Sequence, residues 1–152
     1  MKDKFAVRAI IFDDEKNTPI LSVQNGVYYK IPGGTIEEGE TEMQALNREV
    51  LEEAGCKIVV GECIGDFSFY HPLKDRTYHS KYFIGKLVGE KGEPNFDKRE
   101  IERNFKVIWM PVDEAITTFE RINPQDNIEK IIHNRDLSFI IKARNLLNNL
   151  KS

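Results

Sequence analysis

Hydrophobic positions along the chain follow two rhythms, and the changes between them divide it into elements. Phe5–Asp13 (FAVRAIIFD) is a run of β-branched and aromatic residues broken by one arginine, and it predicts a buried strand. Asp13–Pro19 is polar and turn-like, and Ile20–Gln24 then predicts a second strand. Asn25-Gly26 is a hairpin signal leading into a short strand, VYYKI, which Pro32-Gly33-Gly34 stops. Thr41–Ala54 predicts a helix. Thr41 can cap it, Gln44 completes a capping box, and Gly55 ends it. Met43, Leu46, Val50 and Ala54 recur at helical spacing and give that helix an apolar stripe.

Beyond the helix, Lys57–His71 and Thr77–Val88 predict two long strands joined by the turn PLKDR. Gly89–Pro94 predicts a loop, Phe105–Pro111 a strand, VDEAITTF a short helix, and Pro124 onward a helical tail. Strands, helix, strands, helices is not the regular alternation of a doubly wound sheet. The order predicts an α+β fold, a mixed sheet covered by helices, in one domain over 1–152 with the helical segment from about 124.

Composition narrows the partners. The chain has 152 residues, 40% hydrophobic and 31% charged, as expected of a soluble protein with a real core. Its net charge of −3 argues against nucleic acid or an anionic membrane as a partner. The two cysteines, Cys56 and Cys63, stand in no metal-binding pattern and read as small hydrophobes of a reducing compartment. The apolar run near the N-terminus is too short and too soon charged for a signal peptide or a membrane span, so the expected location is the cytoplasm.

Candidate chemistry concentrates on the first helix. Taking about 100° per residue, Glu52 lies about 60° to one side of Glu49 and Glu53 about 40° to the other. All three therefore leave one arc, beside the apolar stripe. Glutamates at this spacing also make ordinary solvated helix faces. Converging carboxylates equally suit a hard divalent cation such as Mg²⁺ or Mn²⁺. The context favours the second reading. Gly33 and Gly34 allow a sharp turn and close backbone approach, so a carbonyl can join a metal shell. Glu40 and Arg48 can pair across the loop–helix junction and fix the loop's path.

Gly34, Glu40, Arg48-Glu49-Val50, Glu52-Glu53, Gly55 and Cys56 stand in the register G-x5-E-x7-R-E-U-x-E-E-x-G-U, where U is a bulky aliphatic residue. The stretch resembles the box of the Nudix hydrolase family, with Cys56 at the last U position as the one departure. YYKIPGGTIEEGE and VIWMPVDEA resemble the family's flanking segments. The resemblance implies an α/β/α sandwich with a mixed sheet and the box on a loop–helix–loop. It implies hydrolysis of a nucleoside diphosphate linked to another moiety, with Mg²⁺ or Mn²⁺ as cofactor and a small nucleotide as substrate. Glu49, Glu52 and Glu53 become metal ligands, helped by the backbone at Gly33 and Gly34, and Glu40 and Arg48 become the structural pair. The general base is Glu49 or Glu53 of the box, or a later carboxylate, Glu100 or Glu102, whose alternative is a solvated loop.

Substrate contacts are expected from Arg8, which either reaches a phosphate or lies on an exposed face, from Tyr29, and from the region of Pro72. That proline resembles the one in ADP-ribose hydrolases. Tyr28, Tyr70, Tyr78 and Tyr82 are candidates for base stacking or for strand packing, and His71 and His79 for phosphate or surface roles. Nucleoside triphosphates lead the substrate expectation, with ADP-ribose, nucleotide sugars and a non-catalytic nucleotide sensor as alternatives. Small members of the family often pair as homodimers.

Overall fold

A computed structural model of the chain describes residues 2–150. β1 (Asp3–Phe12) is the axis of the fold. Val7, Ala9 and Ile11 point from one face, and Ile10 and Phe12 from the other, and all five are buried. A strand covered on both faces reads as a continuous apolar run, and this one does. Arg8 is the exception on the Ile10 face.

β2 (Asn17–Val23), β3 (Tyr28–Lys30) and β4 (Gly33–Thr35) follow. α1 (Glu42–Ala54) has Thr41 as its cap, the reciprocal capping box with Gln44, and Gly55 in the left-handed conformation at its end. β5 (Lys57–His71) and β6 (Arg76–Val88) form the long hairpin. α2 (Lys98–Glu102), β7 (Lys106–Pro111), α3 (Val112–Glu120) and α4 (Asn127–Asn149) complete the chain.

The strands form two sheets. One is mixed, in the order β4-β1-β6-β5, with β1 parallel to β6. The other is antiparallel, in the order β3-β2-β7. Ala45, Leu46, Val50 and Ala54 of α1 pack with Val7, Ala9, Ile11 and Phe83. On the opposite face Phe119 of α3 and Phe139 and Ile140 of α4 pack with Ile10, Phe12 and Tyr82. Helices thus cover both faces of the strands, in the expected α/β/α order.

Four local expectations change. β2 starts at Asn17, not Ile20, although it contains Pro19. β3 pairs with β2 only from Leu21 onward, so Pro19 lies where β2 has a neighbour on one side alone. Pro32-Gly33-Gly34 does not simply end a strand: Gly33–Thr35 pairs antiparallel with β1. Met43 is 37% exposed, and Ala45 takes its place in the buried stripe. The segment around Glu100 and Glu102 is a short helix rather than a loop, capped by Asp97. No helix among the described residues is long and apolar enough to cross a membrane.

Candidate active site

The turn into the box is shaped by glycine. Gly33 has φ +148°, and a Cβ there would fall 2.2 Å from the Val7 carbonyl oxygen. Without one, β4 lies flat on β1, and the Gly33 N–H donates to Glu53 Oε1 at 2.8 Å. A Cβ on Gly34 would fall 2.6 Å from Glu49 Oε1. The bare turn therefore lets two box carboxylates lie directly against its backbone.

Arg48 organises the rest. Its Nε and Nη2 donate to the two oxygens of Glu40 at 2.7 and 2.9 Å, and Nη2 also reaches the Thr35 carbonyl at 3.1 Å. Glu40 in turn accepts from the Glu37 N–H at 2.8 Å. The guanidinium beside it pulls the Glu40 carboxyl down to about 2. The expected pair is thus present and ties the loop to α1. The same guanidinium does more: Nη1 donates to Glu49 at 2.9 Å and to Glu52 at 3.4 Å. Arg48 therefore offsets much of the repulsion along the acidic edge.

Glu53 is buried, 5% exposed, and the Glu100 carboxylate lies beside it. Burial raises its pKa well above the usual carboxylate value, and Glu100 and Glu49 add to the rise. Burial also raises Glu49, against the pull of Arg48. Glu100 comes from far along the chain, and backbone hydrogen bonds bring it. Gly92 N–H donates to the Gly55 carbonyl at 2.9 Å, and Asn95 N–H to the Glu52 carbonyl at 2.6 Å. The loop after β6 is thereby laid on the end of α1. Asp97 then starts α2, and Glu100 Oε1 closes a capping box with the Asp97 N–H at 3.0 Å. A capping pattern at Asp97-x-x-Glu100 was available in the sequence and would have found this helix.

These groups open on a cleft of about 400 Å³ between the two sheets and α4. Gly33, Thr35, Glu53 and Glu100 line one side, and Phe69, Tyr78 and Phe105 give it an aromatic wall. Phe69 and Tyr78 stack with ring centroids 5.5 Å apart. Arg8, Lys30, Arg103 and Arg135 also line it. Arg8 was a candidate from the sequence, but the rest of this basic lining is hidden by the chain's net negative charge.

Not every expected residue arrives. Glu52 is on the half-exposed outer edge with Arg48, and Glu49 lies under the Gly34 turn, so Glu53 is the box glutamate that lines the cleft. Glu102 is exposed on α2 and does not line the cleft. Tyr29 packs toward Phe119, with ring centroids 6.2 Å apart. Pro72 sits in the β5–β6 turn, while its neighbours His71 and Lys74 do line the cleft. Tyr82 is core, and its hydroxyl donates to Asp136. His79 lies between Ser68 and Asp3.

Sequence reasoning missed Asp136. It is fully buried on α4 and accepts from the Ile31 N–H at 3.2 Å, from Tyr82, and from Arg135 Nε at 3.1 Å. Ile31 is two residues before Gly33, so α4 grips the segment between β3 and β4 that leads into the box turn.

The donor set at the box is entirely oxygen, from carboxylates and backbone, which fits a hard divalent cation. Among the described residues, no three His, Cys, Asp or Glu side chains already stand in a metal-holding group. Glu49 and Glu52 would have to exchange Arg48 for the ion.

Comparison with known proteins shows the family and the fold. An 8-oxo-(d)GTP phosphatase of Mycolicibacterium smegmatis is 33% identical over 58% of this chain, and the match covers 25% of that protein. A diphosphoinositol polyphosphate phosphohydrolase 3-beta of Bos taurus is 30% identical over 76% of this chain and 68% of its own length. An RNA pyrophosphohydrolase of Sulfurovum is 33% identical over 61% of the chain and 66% of its own. The chain thus spans only a quarter to about two thirds of these relatives' lengths. Among solved structures, a NUDIX hydrolase from Nitrosomonas europaea covers 88% of the chain with a TM-score of 0.64 at 21% identity, and 89% of that protein is matched. At that identity the likeness shows the fold. The NUDIX domain model matches residues 2–130, which takes in the box, both sheets and Glu100, and the chain belongs to the Nudix family.

Proposed function

We propose that this chain is a pyrophosphohydrolase that uses Mg²⁺, with Mn²⁺ able to replace it, to cleave the diphosphate linkage of a nucleoside diphosphate derivative. A nucleoside triphosphate or related nucleotide leads. The observation that carries the reading is buried Glu53 with half-buried Glu100 beside it at the wall of a cleft with aromatic and cationic sides. The family's members are hydrolases of pyrophosphate bonds, and the relatives' names all describe removal of phosphate or diphosphate.

Glu49, Glu52 and Glu53, with the backbone at Gly33 and Gly34, would hold the divalent ion. When bound, it supplies positive charge to the phosphoryl oxygens and lowers the pKa of a water. The chain's own groups do the rest. The Gly33 N–H fixes Glu53, and the reciprocal cap at Asp97 fixes Glu100. Burial makes the Glu53 carboxyl hold a proton more firmly than a free one does. Glu100 accepts a proton from water as its oxygen bonds to phosphorus. The bridging P–O bond breaks, and the leaving phosphate keeps the oxygen and its electron pair. Phe69, Tyr78 and Phe105 offer flat faces to a base.

The test is a panel of nucleoside triphosphates, dinucleotides, ADP-ribose and nucleotide sugars incubated with Mg²⁺ or with EDTA, with products resolved. Release of phosphate or diphosphate with Mg²⁺ alone, lost in Glu53→Gln and Glu100→Gln, is expected. No turnover of any member would leave a nucleotide-sensing module instead. Turnover confined to ADP-ribose or a nucleotide sugar would replace the triphosphate reading.

A further inference from the structure

α2 carries Glu100 but buries none of its own residues. So short a helix, without an apolar anchor, takes its place from whatever holds its two ends. Its C-terminal end is tied down. The Gln24 N–H donates to the Arg103 carbonyl at 2.8 Å, and Phe105 meets Phe96 edge-on with ring centroids 5.8 Å apart. Its N-terminal end hangs on residues 89–97, which reach the last turn of α1 through the Gly92 and Asn95 N–H groups. Charge works against that seat. The segment brings Glu90, Glu93 and Asp97 to a helix that carries Glu49, Glu52 and Glu53 and has no basic residue in its last turn. That end of a helix is itself partly negative. Lys91 is the one cation in 89–97.

Lys91 stands outside the cleft. Its Nζ donates to Asp13 Oδ2 at 2.8 Å and lies 4.5 Å from the centroid of the Trp109 ring. Both are fixed points. Asp13 Oδ1 accepts from the Glu15 and Asn17 N–H groups at 2.9 and 2.8 Å, and Oδ2 also accepts from Asn17 Nδ2 at 3.2 Å, so the turn after β1 holds the carboxylate still. Trp109 pairs with Pro19 across β2–β7 and packs on the core beneath α1. The Asp13 side chain is only 10% exposed, which shields this ion pair from the solvent that weakens most surface pairs. We propose that Lys91 is a positioning residue for Glu100: by gripping Asp13 and the face of Trp109 it seats 89–97 on the end of α1, and from that seat Glu100 reaches Glu53. The inference rests on the proposed function for what Glu100 does, not for where the segment lies. Without the grip, the acidic segment leaves the acidic helix, and α2 turns about its tethered Arg103 end. A shift of about 1 Å in a group that takes part in the chemistry is worth about 100-fold in rate.

Two readouts on the whole chain test this. Hydrogen exchange at the Gly92 and Asn95 amides, followed by NMR in EDTA, reports the seat without turnover. Steady-state kcat and KM in Mg²⁺, on the panel member cleaved fastest, report the chemistry. Lys91→Met speeds exchange at both amides by about tenfold, as expected for loss of one charged hydrogen bond. It lowers kcat by about 10–100-fold and leaves KM within about threefold, because Lys91 touches no part of the cleft. Lys91→Arg keeps the charge and stacks on Trp109, and it returns exchange and kcat to within about threefold of native. In Glu100→Gln the group to be placed is gone, so adding Lys91→Met lowers kcat by less than about twofold more. Lys86→Met, which removes an exposed pair with Asp14, changes neither readout. Native kcat in Lys91→Met overturns the proposal, as does native exchange at Gly92 and Asn95. So does a Lys91→Met loss of equal size with and without Glu100, which would mean that the lysine acts through the fold at large. If no panel member is turned over, the hydrolase reading falls and the exchange ratio alone decides: a rise keeps the seat, and no rise removes it.

Discussion

Gly33 and Gly34 are adjacent, and alanine at each should fail in a different way. At Gly33 a Cβ meets backbone on both sides, 2.2 Å from the Val7 oxygen and 2.6 Å from the Arg8 Cα, at a φ of +148°. Nothing flexible can move aside. β4 must leave β1, with loss of the pairs Ala6–Thr35, Val7–Gly34 and Arg8–Gly33. The combined strain and lost pairing costs about 3 kcal/mol, which at 152 residues is a fall in Tm of about 6–12 °C. At Gly34 the Cβ meets only the end of a side chain, Glu49 Oε1 at 2.6 Å and its Cδ at 2.7 Å. That carboxylate rotates away by about 1 Å, and a displacement of that size in a catalytic group costs about 100-fold in rate. Gly34→Ala should therefore melt within about 2 °C of the native chain and lose about 100-fold in kcat/KM. Thermal unfolding followed by circular dichroism, with phosphate release in Mg²⁺, separates the two. Full activity in Gly34→Ala, or an unchanged Tm in Gly33→Ala, would refute the reasoning.

Asp136→Ala strands Arg135 in the interior and should destabilise the chain by about 3–5 kcal/mol; adding Arg135→Met should recover most of it in urea titrations, and a double variant no better than the single would contradict the ion-pair account. The raised pKa of Glu53 makes the folded state hold a proton that the unfolded chain releases near pH 4.5, so its stability is present at pH 4 and declines as pH rises through the folded value. In EDTA, Glu53→Gln should match the native Tm at pH 4 and exceed it at pH 8; a gap that closes with rising pH would reverse the sign. Arg48→Lys cannot fork across Glu40 while reaching Thr35, Glu49 and Glu52, and kcat should drop about 10–100-fold with KM little changed. A loss confined to KM would place Arg48 on the substrate instead.

Local rules of the chain exposed much of this. The Thr41–Gln44 box and Gly55 fix α1 at both ends, and both are short-range signals. The apolar run of β1 was readable because both its faces are buried. The Glu40–Arg48 pair followed from spacing across one junction. What escaped depends on contacts between distant segments. Glu100 could be suspected, but the laying of the 92–95 loop on α1 is a tertiary event between backbones and leaves no side-chain pattern. The basic wall draws Arg8, Lys30 and Arg103 from three elements, and summed composition averages them away. Asp136 looks like one more polar residue on an amphipathic helix until Ile31, Tyr82 and Arg135 are seen around it.

The hold of Asp136 on Ile31 sets a limit on how freely the C-terminal helix can drift. The family match ends at residue 130, inside α4, yet one carboxylate six residues later anchors the segment that feeds the box turn. Descendants of this sequence can exchange residues along the solvent side of that helix at little penalty. Any that lose the acid at this position must find another acceptor for the Ile31 amide, or let the glycine turn wander with every box carboxylate still in place.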